Sequence, residues 1–527
     1  MKVLVSDEIS EAGIEILEKK GVDVTYNTEL GYEELLEEIG KYHGIILRSM
    51  TPLNEEVLAK ADNLKVIARA GSGYDNIDVE AASKKGIIVL NTPGQNTISA
   101  AEQTMALMAG LSRNIYHANK ALHEGVWNRS KYMGVELNQK TLGIIGLGRV
   151  GGNVAKMAQG FNMKVIANDP YIPAKRGERL GVELVEFDEL LERADYITLH
   201  TPLTEETHHI IDKEAISKMK DGVRILNVAR GQNVDCQALY HGVKSGKVAG
   251  AGLDVHEEEP ITEDYSLLEL EDKVIMAPHL GGTTVEAMDN VSIDAARQML
   301  SVFEGDLPRT PLNIPSVDPK VMAEIKPYIN LADKLGSFYS GWTGGRVEEV
   351  EVIYQGDIAK QEVEPITTAV LKGLLNPVVN EDINLVNAQM IAEERGIKVV
   401  ESKSKTSNKY SNLITLKVKD KDEMTKLSGT VFHKGDLRIV DIDGYQADII
   451  PEGILLVSDH IDKPGVVGQV GTLFGSNDVN IASMRLGRNQ AGGRAIMVLT
   501  LDDEPREELK DELLKIDGIK DINVFAL

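Results

Sequence analysis

The chain is poor in cysteine and in long apolar runs. Its 527 residues include one cysteine, Cys236, so no intrachain disulfide can form, and a lone cysteine in a helix-like stretch is typical of an inert core thiol. No segment approaches the ~18 consecutive apolar residues that a membrane span needs. The first residues, MKVLVSDEIS, lack the apolar core and cleavage site of a secretion signal. These absences predict a soluble, cytoplasmic protein without a thiolate metal site.

Positive charge is also scarce in this sequence. The chain has 57 Lys and Arg against 82 Asp and Glu, which gives a formal net charge of −25. Nucleic acid is bound through Lys and Arg at its phosphates, so nucleic acid and anionic membrane surfaces are both unsuitable partners. The acidic excess is instead typical of a soluble protein. At roughly 100–200 residues per domain, the length predicts three or four domains.

Short apolar runs alternate with helical patterns over residues 1–284. The runs MKVLVS, GIILRS, LKVIARA and IIVL predict buried strands within 1–98, and a helical stretch over 99–122 follows. A second series begins at TLGIIGLGRVG, with strand candidates LGIIG, KVIAND, YITLHTP, RILNVA, AGLDV and VIMAPH. This βα rhythm predicts an α/β fold built on parallel sheets.

The remainder of the chain has a different organisation. The segment 308–320 carries several prolines and is the clearest linker in the sequence. Residues 321–450 mix helices with alternating strands, which predicts an α+β domain. Residues 453–527 run strand, helix, strand, strand, helix, strand, which predicts a compact ferredoxin-like unit.

A glycine motif between a strand and a helix predicts a dinucleotide site. Gly146, Gly148 and Gly151 form G-x-G-x-x-G directly after the apolar run LGII and before VAKMAQGF. Such glycines allow a tight turn and a close approach to a pyrophosphate, which the helix N-terminus then faces. Asp169 ends the next strand, where a carboxylate binds ribose hydroxyls and repels a 2′-phosphate, so NAD is favoured over NADP. The alternative is a structural turn with a surface Asp.

Three ionisable residues follow successive strand candidates of the second series. Arg230 follows RILNVA, Glu259 lies just past AGLDV, and His279 follows VIMAP. In open α/β sheets ligands bind outside the carboxyl ends of the strands. Oxidation of a 2-hydroxy acid needs a base, for which His is suited, a carboxylate that supports the imidazolium, and a guanidinium for the substrate carboxylate. The alternative for His279 is a surface or satisfied core histidine.

The motifs GLGRVG, HTPL, NVARG, LDV with EEEP, and PHLGG have the order and spacing of the D-2-hydroxyacid dehydrogenases. Over its whole length the chain resembles the long-form D-3-phosphoglycerate dehydrogenases of that family. The resemblance implies a Rossmann domain over 99–284 that is inserted in a flavodoxin-like substrate domain of residues 1–98 and 285–307. An intervening regulatory domain over 321–450 and an ACT domain over 453–527 are implied to follow.

The resemblance also implies an activity and a set of site residues. The implied activity is NAD-dependent oxidation of 3-phospho-D-glycerate to 3-phosphohydroxypyruvate, the first step of L-serine synthesis, by a homodimer or homotetramer. Arg230, Glu259 and His279 would be the catalytic residues. The implied cofactor contacts are Gly146, Gly148, Arg149, Val150, Gly151, Asp169, Thr201, Val228, Ala229, Arg230, Asp254, His279, Leu280, Gly281 and Gly282. Two positions depart from the family pattern: His256 replaces a common aromatic, and Gln232-Asn233 replace small apolar residues.

The first 98 residues carry the family's substrate loops. In RAGSGYDNID, backbone N–H groups of Gly71, Ser72 and Gly73 are predicted to cradle the substrate carboxylate. The predicted contacts of the phosphate are Arg48, Ser49 and Asn96, with Arg129 and Lys131 completing the site across a dimer interface. For each basic residue the alternative is a solvated surface charge.

The last domain is predicted to bind L-serine as a feedback inhibitor. His460 and Asp462 end its first strand, and Pro464-Gly465 open a helix whose N-terminal amides could receive an amino-acid carboxylate. Asp462 would take the ammonium group, and Asn480 would reach in from a paired domain. The alternative is a domain that only holds subunits together.

Two other functions fit parts of this pattern. One is another D-2-hydroxyacid dehydrogenase, a glyoxylate or hydroxypyruvate reductase, against which the ACT-like tail argues because amino-acid sensing suits a biosynthetic enzyme. The other is a non-enzymatic NAD-sensing binding protein with the same fold, against which the intact Arg-Glu-His set argues. Hydride transfer to NAD needs no metal, and no metal-ligand spacing is present in the sequence.

Overall fold

The computed structural model describes the whole chain except residues 316, 318, 346, 380–382, 406–408 and 422. Its first sheet contains β1 (Lys2–Val5), β2 (Asp23–Tyr26), β3 (Gly44–Leu47), β4 (Val66–Arg69) and β5 (Ile88–Asn91). The helices of this part are α1 (Glu11–Lys19), α2 (Tyr32–Glu38), α3 (Glu55–Ala59) and α4 (Val79–Lys84). The strands are parallel in the order β2-β1-β3-β4-β5, which is the predicted flavodoxin-like arrangement.

Two helices connect this sheet to the next one. They are α5 (Thr97–Arg113) and α6 (Ile115–His123). The sequence pattern predicted one continuous helical stretch here, and the structure divides it at Asn114. That residue has φ of 51°, a left-handed conformation that ends α5 and that Asn tolerates better than most residues.

The second sheet is larger and also parallel. It contains β6 (Thr141–Ile145), β7 (Lys164–Asn168), β8 (Glu183–Leu184), β9 (Tyr196–Leu199), β10 (Val223–Asn227), β11 (Val248–Leu253) and β12 (Val274–Met276). Its helices are α7 (Arg149–Gly160), α8 (Ala174–Leu180), α9 (Phe187–Arg193), α10 (Lys213–Lys218) and α11 (Cys236–Ser245). The strand order is β12-β11-β10-β9-β6-β7-β8. From β6 the chain first adds strands on one side and then, from β9, on the other, and this switch creates the crevice where Rossmann folds bind dinucleotides.

The chain then returns to the first sheet. Helix α12 (Val285–Phe303) places Val291, Ala295 and Met299 in the same core as β1 and β4. The following segment pairs with β5, since the Leu312 N–H donates to the Val89 carbonyl at 2.8 Å. The predicted linker 308–320 therefore begins attached to the first domain; its residues 316 and 318 lie outside the described residues. The predicted domain bounds stay predictions.

An α+β unit follows. It contains α13 (Pro319–Thr343), β13 (Glu349–Gly356), α14 (Glu364–Leu375), α15 (Ala388–Glu394), β14 (Lys398–Ser404), β15 (Asn412–Asp420), β16 (Glu423–Val431), β17 (Leu437–Ile442) and β18 (Tyr445–Ile449). The sheet order is β14-β13-β15-β16-β17-β18, and the pairs are antiparallel except for the parallel pair of β13 with β14. Helix α13 packs on this sheet through buried Leu331, Leu335 and Phe338.

The last unit has the predicted order of elements. It contains β19 (Ile454–Ile461), α16 (Val466–Ser476), β20 (Ile481–Arg488), β21 (Arg494–Leu501), α17 (Glu507–Leu513) and β22 (Ile519–Ala526). The antiparallel order β20-β21-β19-β22 is that of a ferredoxin-like sheet. This unit contacts the preceding one: the Phe525 ring lies edge-on to Phe338 at 5.3 Å, and Arg485 donates to the Asp448 carbonyl at 3.0 Å. Within the described part of the chain, no helix is long and apolar enough to cross a membrane.

Candidate active site

The predicted cofactor residues lie together at one edge of the second sheet. The glycine turn at 146–148 follows β6, Asp169 follows β7, and Thr201 follows β9. Residues 228–230 follow β10, Asp254 follows β11, and the turn 279–282 comes shortly after β12. Because the strands are parallel, their carboxyl ends meet at the same edge. The structure therefore brings these residues to one crevice, as the spacing of the motifs predicted.

Asp169 is connected to the glycine turn. Its carboxylate accepts the N–H groups of Leu147 at 2.9 Å and Tyr171 at 3.1 Å. Arg176, which the sequence reasoning did not single out, donates to the carbonyls of Leu147 and Gly148, both at 3.0 Å. The turn that would face a pyrophosphate is thus held by Asp169, which follows β7, and by Arg176 of α8.

A cavity of about 830 Å³ opens beside the N-terminus of α7. Its walls include the basic side chains Arg149, Lys156, Lys175, Arg176 and Arg179, and no acidic side chain among the described residues lines it. The buried hydroxyl of Thr201, on the adjacent strand end, has no hydrogen-bond partner within the described chain. A helix N-terminus, a basic wall and an unsatisfied hydroxyl fit a ligand with a pyrophosphate, and hence a dinucleotide.

His279 and Glu259 form a direct pair. The Nδ1 atom of His279 lies 2.8 Å from Oε2 of Glu259, and both side chains are partly exposed. A carboxylate oxygen only accepts, so Nδ1 carries the proton and Nε2 remains the basic nitrogen. Burial acts to raise the pKa of Glu259, but hydrogen bonds from His279 and from the His256 N–H outweigh it, and the pKa lies below its ordinary value.

The turn that carries His279 is built around Asp254. His279 has φ of 56°, which is uncommon for a residue with a side chain. Fully buried Asp254 accepts the N–H groups of Leu280 at 2.9 Å and Gly281 at 2.7 Å, and also the Gln103 amide at 2.9 Å. The carboxylate thereby fixes the backbone that aims His279. The predicted contact of Asp254 with the cofactor stays a prediction.

Arg230 reaches across to the loop that follows β4. Its Nε donates to Asp75 at 2.9 Å and its Nη1 donates to the Ala229 carbonyl at 2.7 Å. Its Nη2 lies over Gly73, only 2.0 Å from where a side-chain carbon at that position would stand. A side chain at position 73 would therefore displace this guanidinium. Asp75, which the sequence reasoning missed, therefore fixes the direction of Arg230.

Two further guanidinium groups lie at the strand ends of the first sheet. Arg69 ends β4, and Arg48 follows β3. Burial, followed by the nearby charges of Arg48 and Arg230, lowers the pKa of Arg69 to about 10. Burial also lowers the pKa of Arg48. The Nε atoms of both side chains are buried, and no described residue accepts a hydrogen bond from either. A cluster of mutually repelling cations with unused donors is suited to an anionic ligand.

Arg69 was not among the predicted substrate residues, although the sequence contains a signal for it. It is the last residue of the apolar run LKVIAR, where a charged side chain at the carboxyl end of a parallel strand indicates a ligand site. Arg48, which was predicted, is placed beside it. Asp7 organises the Arg48 loop, because its carboxylate accepts the N–H groups of Arg48 at 2.6 Å and Met50 at 3.1 Å.

Some of the other predicted substrate residues lie beside the His279 turn, and others do not. The Ser72 hydroxyl donates to the Asn96 side chain at 3.0 Å, and Asn96 lies against Gly282, so these residues border the His279 turn. The Gly71 N–H is donated to the Arg69 carbonyl at 2.9 Å and is thus engaged within the loop. Ser49 is exposed beside Arg48.

Arg129 and Lys131 are exposed on the segment after α6. The Lys131 amine lies 5.5 Å from the Tyr132 ring centre, and its charge helps to lower the pKa of Glu271. The structure thus places Lys131 beside Tyr132 and Glu271. Their predicted contribution across a dimer interface stays a prediction.

Family models match three parts of the chain. The D-isomer specific 2-hydroxyacid dehydrogenase NAD binding domain matches residues 105–281. The D-3-phosphoglycerate dehydrogenase intervening domain matches residues 324–443, and the ACT domain matches residues 454–518. D-3-phosphoglycerate dehydrogenases of Archaeoglobus fulgidus and Methanocaldococcus jannaschii are each 45% identical to this chain, with 100% of both chains covered.

The chain belongs to the D-3-phosphoglycerate dehydrogenase family.

Other relatives extend this result. The D-3-phosphoglycerate dehydrogenase of Bacillus subtilis is 40% identical over 100% of this chain and 99% of its own. Among solved structures, the D-lactate dehydrogenase of Aquifex aeolicus, complexed with NAD and lactic acid, is 30% identical with a TM-score of 0.54. It covers 60% of this chain, and the match spans 100% of its own. As a member of this family, the chain is an NAD-dependent oxidoreductase with a Rossmann domain, an intervening domain and an ACT domain.

The predicted effector residues of the ACT domain do not meet within one subunit. Asp462 is paired with Arg488 at 2.6 Å, a contact that the sequence reasoning missed. Asn480 donates to Asp502 at 2.7 Å, next to the opposite end of the sheet. The strand register separates them, since His460 pairs with Ala495 while Ile481 pairs with Leu501. Buried His460 has an Nδ1 atom without a partner among the described residues.

Cys236 has the role expected of a lone buried thiol. It contacts the Tyr265 hydroxyl at 3.1 Å, and burial raises its pKa to about 12, so the nucleophilic thiolate is absent at neutral pH. Across the described residues, no group of His, Cys, Asp and Glu side chains could hold a metal ion.

Proposed function

We propose that this protein oxidises 3-phospho-D-glycerate to 3-phosphohydroxypyruvate with NAD, the step that commits carbon to L-serine. The observation that carries the proposal is the cluster of Arg48, Arg69 and Arg230 beside the His279–Glu259 pair. A substrate with a carboxylate at one end and a phosphate at the other matches a site with cations on two lobes. The names and full-length similarity of the relatives support the same substrate.

The geometry supports a simple division of roles. The Nε2 atom of His279 accepts the proton of the substrate hydroxyl, and NAD, when bound, would supply the acceptor for the hydride from the same carbon. Glu259 remains ionised, because its pKa is lowered, and stabilises the imidazolium that forms. Arg230, directed by Asp75 and Ala229, holds the carboxylate and polarises the developing carbonyl.

Arg48 and Arg69 are assigned to the phosphate. Both come from the lobe opposite to His279, and both have buried donors free. Ser72 contacts Asn96, which lies against Gly282 in the turn after His279. Closure of the two lobes would exclude water from the reacting carbon.

The experiment that tests the substrate compares 3-phosphoglycerate with D-glycerate, which lacks the phosphate. We expect the wild-type protein to prefer the phosphorylated acid in kcat/KM, and Arg69→Gln to remove most of that preference. If the wild type and Arg69→Gln prefer 3-phosphoglycerate to the same extent, Arg69 does not bind the phosphate and the phosphate site lies elsewhere. Preferential turnover of glyoxylate or hydroxypyruvate would support the alternative reductase.

We further propose that L-serine inhibits the enzyme at paired ACT domains. His460 and Asp462 of one domain and Asn480 of another would form the site, because one subunit keeps them at opposite ends of its sheet. This arrangement requires at least a dimer, which would also let Arg129 and Lys131 reach a neighbouring active site. We expect the protein to be cytoplasmic. Light scattering would measure the number of subunits in its oligomer.

A further inference from the structure

A second histidine–glutamate contact joins two loops beside the catalytic pair. His209, in the loop after β9, has its Nε2 atom 2.5 Å from Oε1 of Glu257, in the loop after β11. Both side chains are about one-third exposed, at 35% and 29%. Glu257 stands two residues before Glu259 in the same loop. The contact therefore attaches the Glu259 loop to a neighbouring strand end.

The loop after β10 closes the connection. The Gln232 side-chain amide donates to the Glu257 carbonyl at 2.7 Å, and the Gln232 carbonyl accepts the His209 N–H at 2.8 Å. Gly231 packs directly on the same loop, since a side-chain carbon there would stand 1.8 Å from the His256 carbonyl oxygen. Gln232 is one of the positions that depart from the family pattern, and these hydrogen bonds give it a role.

We propose that His209 and Glu257 are positioning residues for the catalytic pair, with Gln232 as their link. The inference rests on the proposed function, because it concerns the geometry of Glu259 and Arg230 during turnover. The loop that Glu257 fixes also contains the His256 N–H, which donates to Glu259 at 2.9 Å. Arg230 directly precedes Gly231 and Gln232, so the same contacts restrain the backbone from which it extends.

A small displacement of this loop matters because proton transfer depends on distance. A misplacement of about 1 Å can cost about 10²-fold in rate even when the changed residue is remote from the chemistry. An ordinary surface ion pair, in contrast, contributes little to stability and nothing to turnover. A positioning contact therefore predicts that its loss lowers kcat, whereas a surface ion pair predicts an unchanged kcat.

The test uses the full-length protein with Glu257→Ala and Glu257→Gln. We expect Glu257→Ala to lower kcat between about 10-fold and 10²-fold, with little change in KM for NAD. Glu257→Gln, which can still accept a hydrogen bond, should recover most of the lost rate. The matched control is His208→Gln, since His208 stacks on His209 at 4.0 Å but is exposed, and its kcat should equal that of the wild type.

A double-mutant cycle separates positioning from general damage. If Glu257 acts through Glu259, adding Glu257→Ala to Glu259→Gln should lower kcat by a smaller factor than Glu257→Ala does in the wild type. Additive losses, or a kcat of Glu257→Ala within about 2-fold of wild type, would overturn the inference. The inference would also be overturned if the fall in kcat only matched a smaller fraction of folded protein, as measured by thermal unfolding.

Failure of the proposed function gives a different result. If wild-type protein does not oxidise 3-phosphoglycerate, the substrate assignment fails. The positioning role of Glu257 is then tested on the His279 Nδ1 proton by NMR of histidine-labelled protein. We expect that signal to be retained in His208→Gln and lost in Glu257→Ala. Retention in both variants would contradict the positioning role whatever the substrate is.

Discussion

At the scale of single residues, His279 carries the clearest prediction. Its left-handed backbone is fixed by Asp254, and its Nδ1 atom is engaged by Glu259, so Nε2 is the only basic nitrogen offered to substrate. We expect His279→Gln to lower kcat by about 10²–10⁴-fold, the usual contribution of a positioned acid–base group. NADH binding, followed by fluorescence, should persist because the glycine turn is unchanged. A near-normal kcat would remove His279 from the mechanism.

Glu259 gives a prediction about pH. Its pKa is lowered in the fold, so it contributes stabilisation at neutral pH that is lost only as the pH falls through a value below the ordinary 4.5. Its titration should therefore not limit activity above about pH 5. In Glu259→Gln the imidazolium loses its partner, so the acidic limb of the kcat/KM profile should move to lower pH. An unchanged limb in a pH series would show that the pair does not act in turnover.

Arg69 illustrates a conflict between stability and binding. Because burial and neighbouring cations lower its pKa, its charge opposes folding fully below about pH 10, and the opposition declines gradually as the pH rises from there towards the ordinary pKa of an arginine. We expect Arg69→Gln to stabilise the ligand-free protein by on the order of 1 kcal/mol, after allowance for solvent screening.

The same substitution should raise KM for 3-phosphoglycerate by more than about 10-fold, since a buried charged hydrogen bond is lost. Urea unfolding and steady-state kinetics measure the two effects. Lys65→Gln, an exposed charge at the opposite end of β4, is the matched control and should change neither. A destabilised Arg69→Gln protein with normal KM would mean that Arg69 is a structural cation.

Single residues also show how far sequence reasoning reaches. His279, Glu259 and Arg230 were predictable because each follows an apolar strand, and parallel strands bring such residues to one edge. Arg69 was overlooked because it completes a strand that was considered only as core. Asp75 and Arg488 act through partners far away in sequence, Arg230 and Asp462 respectively, and no local pattern identifies such contacts.

At the scale of elements, the strongly apolar strands of the two parallel sheets were predicted, and the more exposed strands were not. Strands β2 and β8 contain no fully buried residue, so their sequences lack the apolar run that identified the others. The break between α5 and α6 depends on one left-handed Asn, which leaves the helical periodicity nearly intact. The pairing of residue 312 with β5 depends on tertiary contact, so a proline-rich segment there was read only as a linker.

The ACT element carries a prediction about regulation. Asp462→Ala should abolish inhibition by L-serine and leave the uninhibited kcat unchanged, because the residue is remote from the active site. Arg488→Ala should instead make inhibition several-fold more sensitive, since Arg488 occupies the Asp462 carboxylate. Serine titrations of both variants measure these effects. Full serine inhibition of Asp462→Ala would place the effector elsewhere.

At the scale of the whole molecule, the site exists only because two lobes meet. Arg230 and His279 come from the Rossmann sheet, whereas Arg48, Arg69 and Asp75 come from the first sheet. The Arg230–Asp75 contact connects the lobes directly. The sequence indicated both sheets but not which of their loops would face each other, because that depends on packing between α12 and the first core.

The most direct test of the account is the reduction of 3-phosphohydroxypyruvate by NADH, followed by the loss of NADH absorbance. The same assay is run with hydroxypyruvate, glyoxylate and pyruvate at equal concentration. The guanidinium cluster predicts that kcat/KM for the phosphorylated 2-oxo acid exceeds that of each unphosphorylated one by more than about 10²-fold, as expected when buried donors lose their anion. Comparable turnover of hydroxypyruvate or glyoxylate would contradict the proposed substrate.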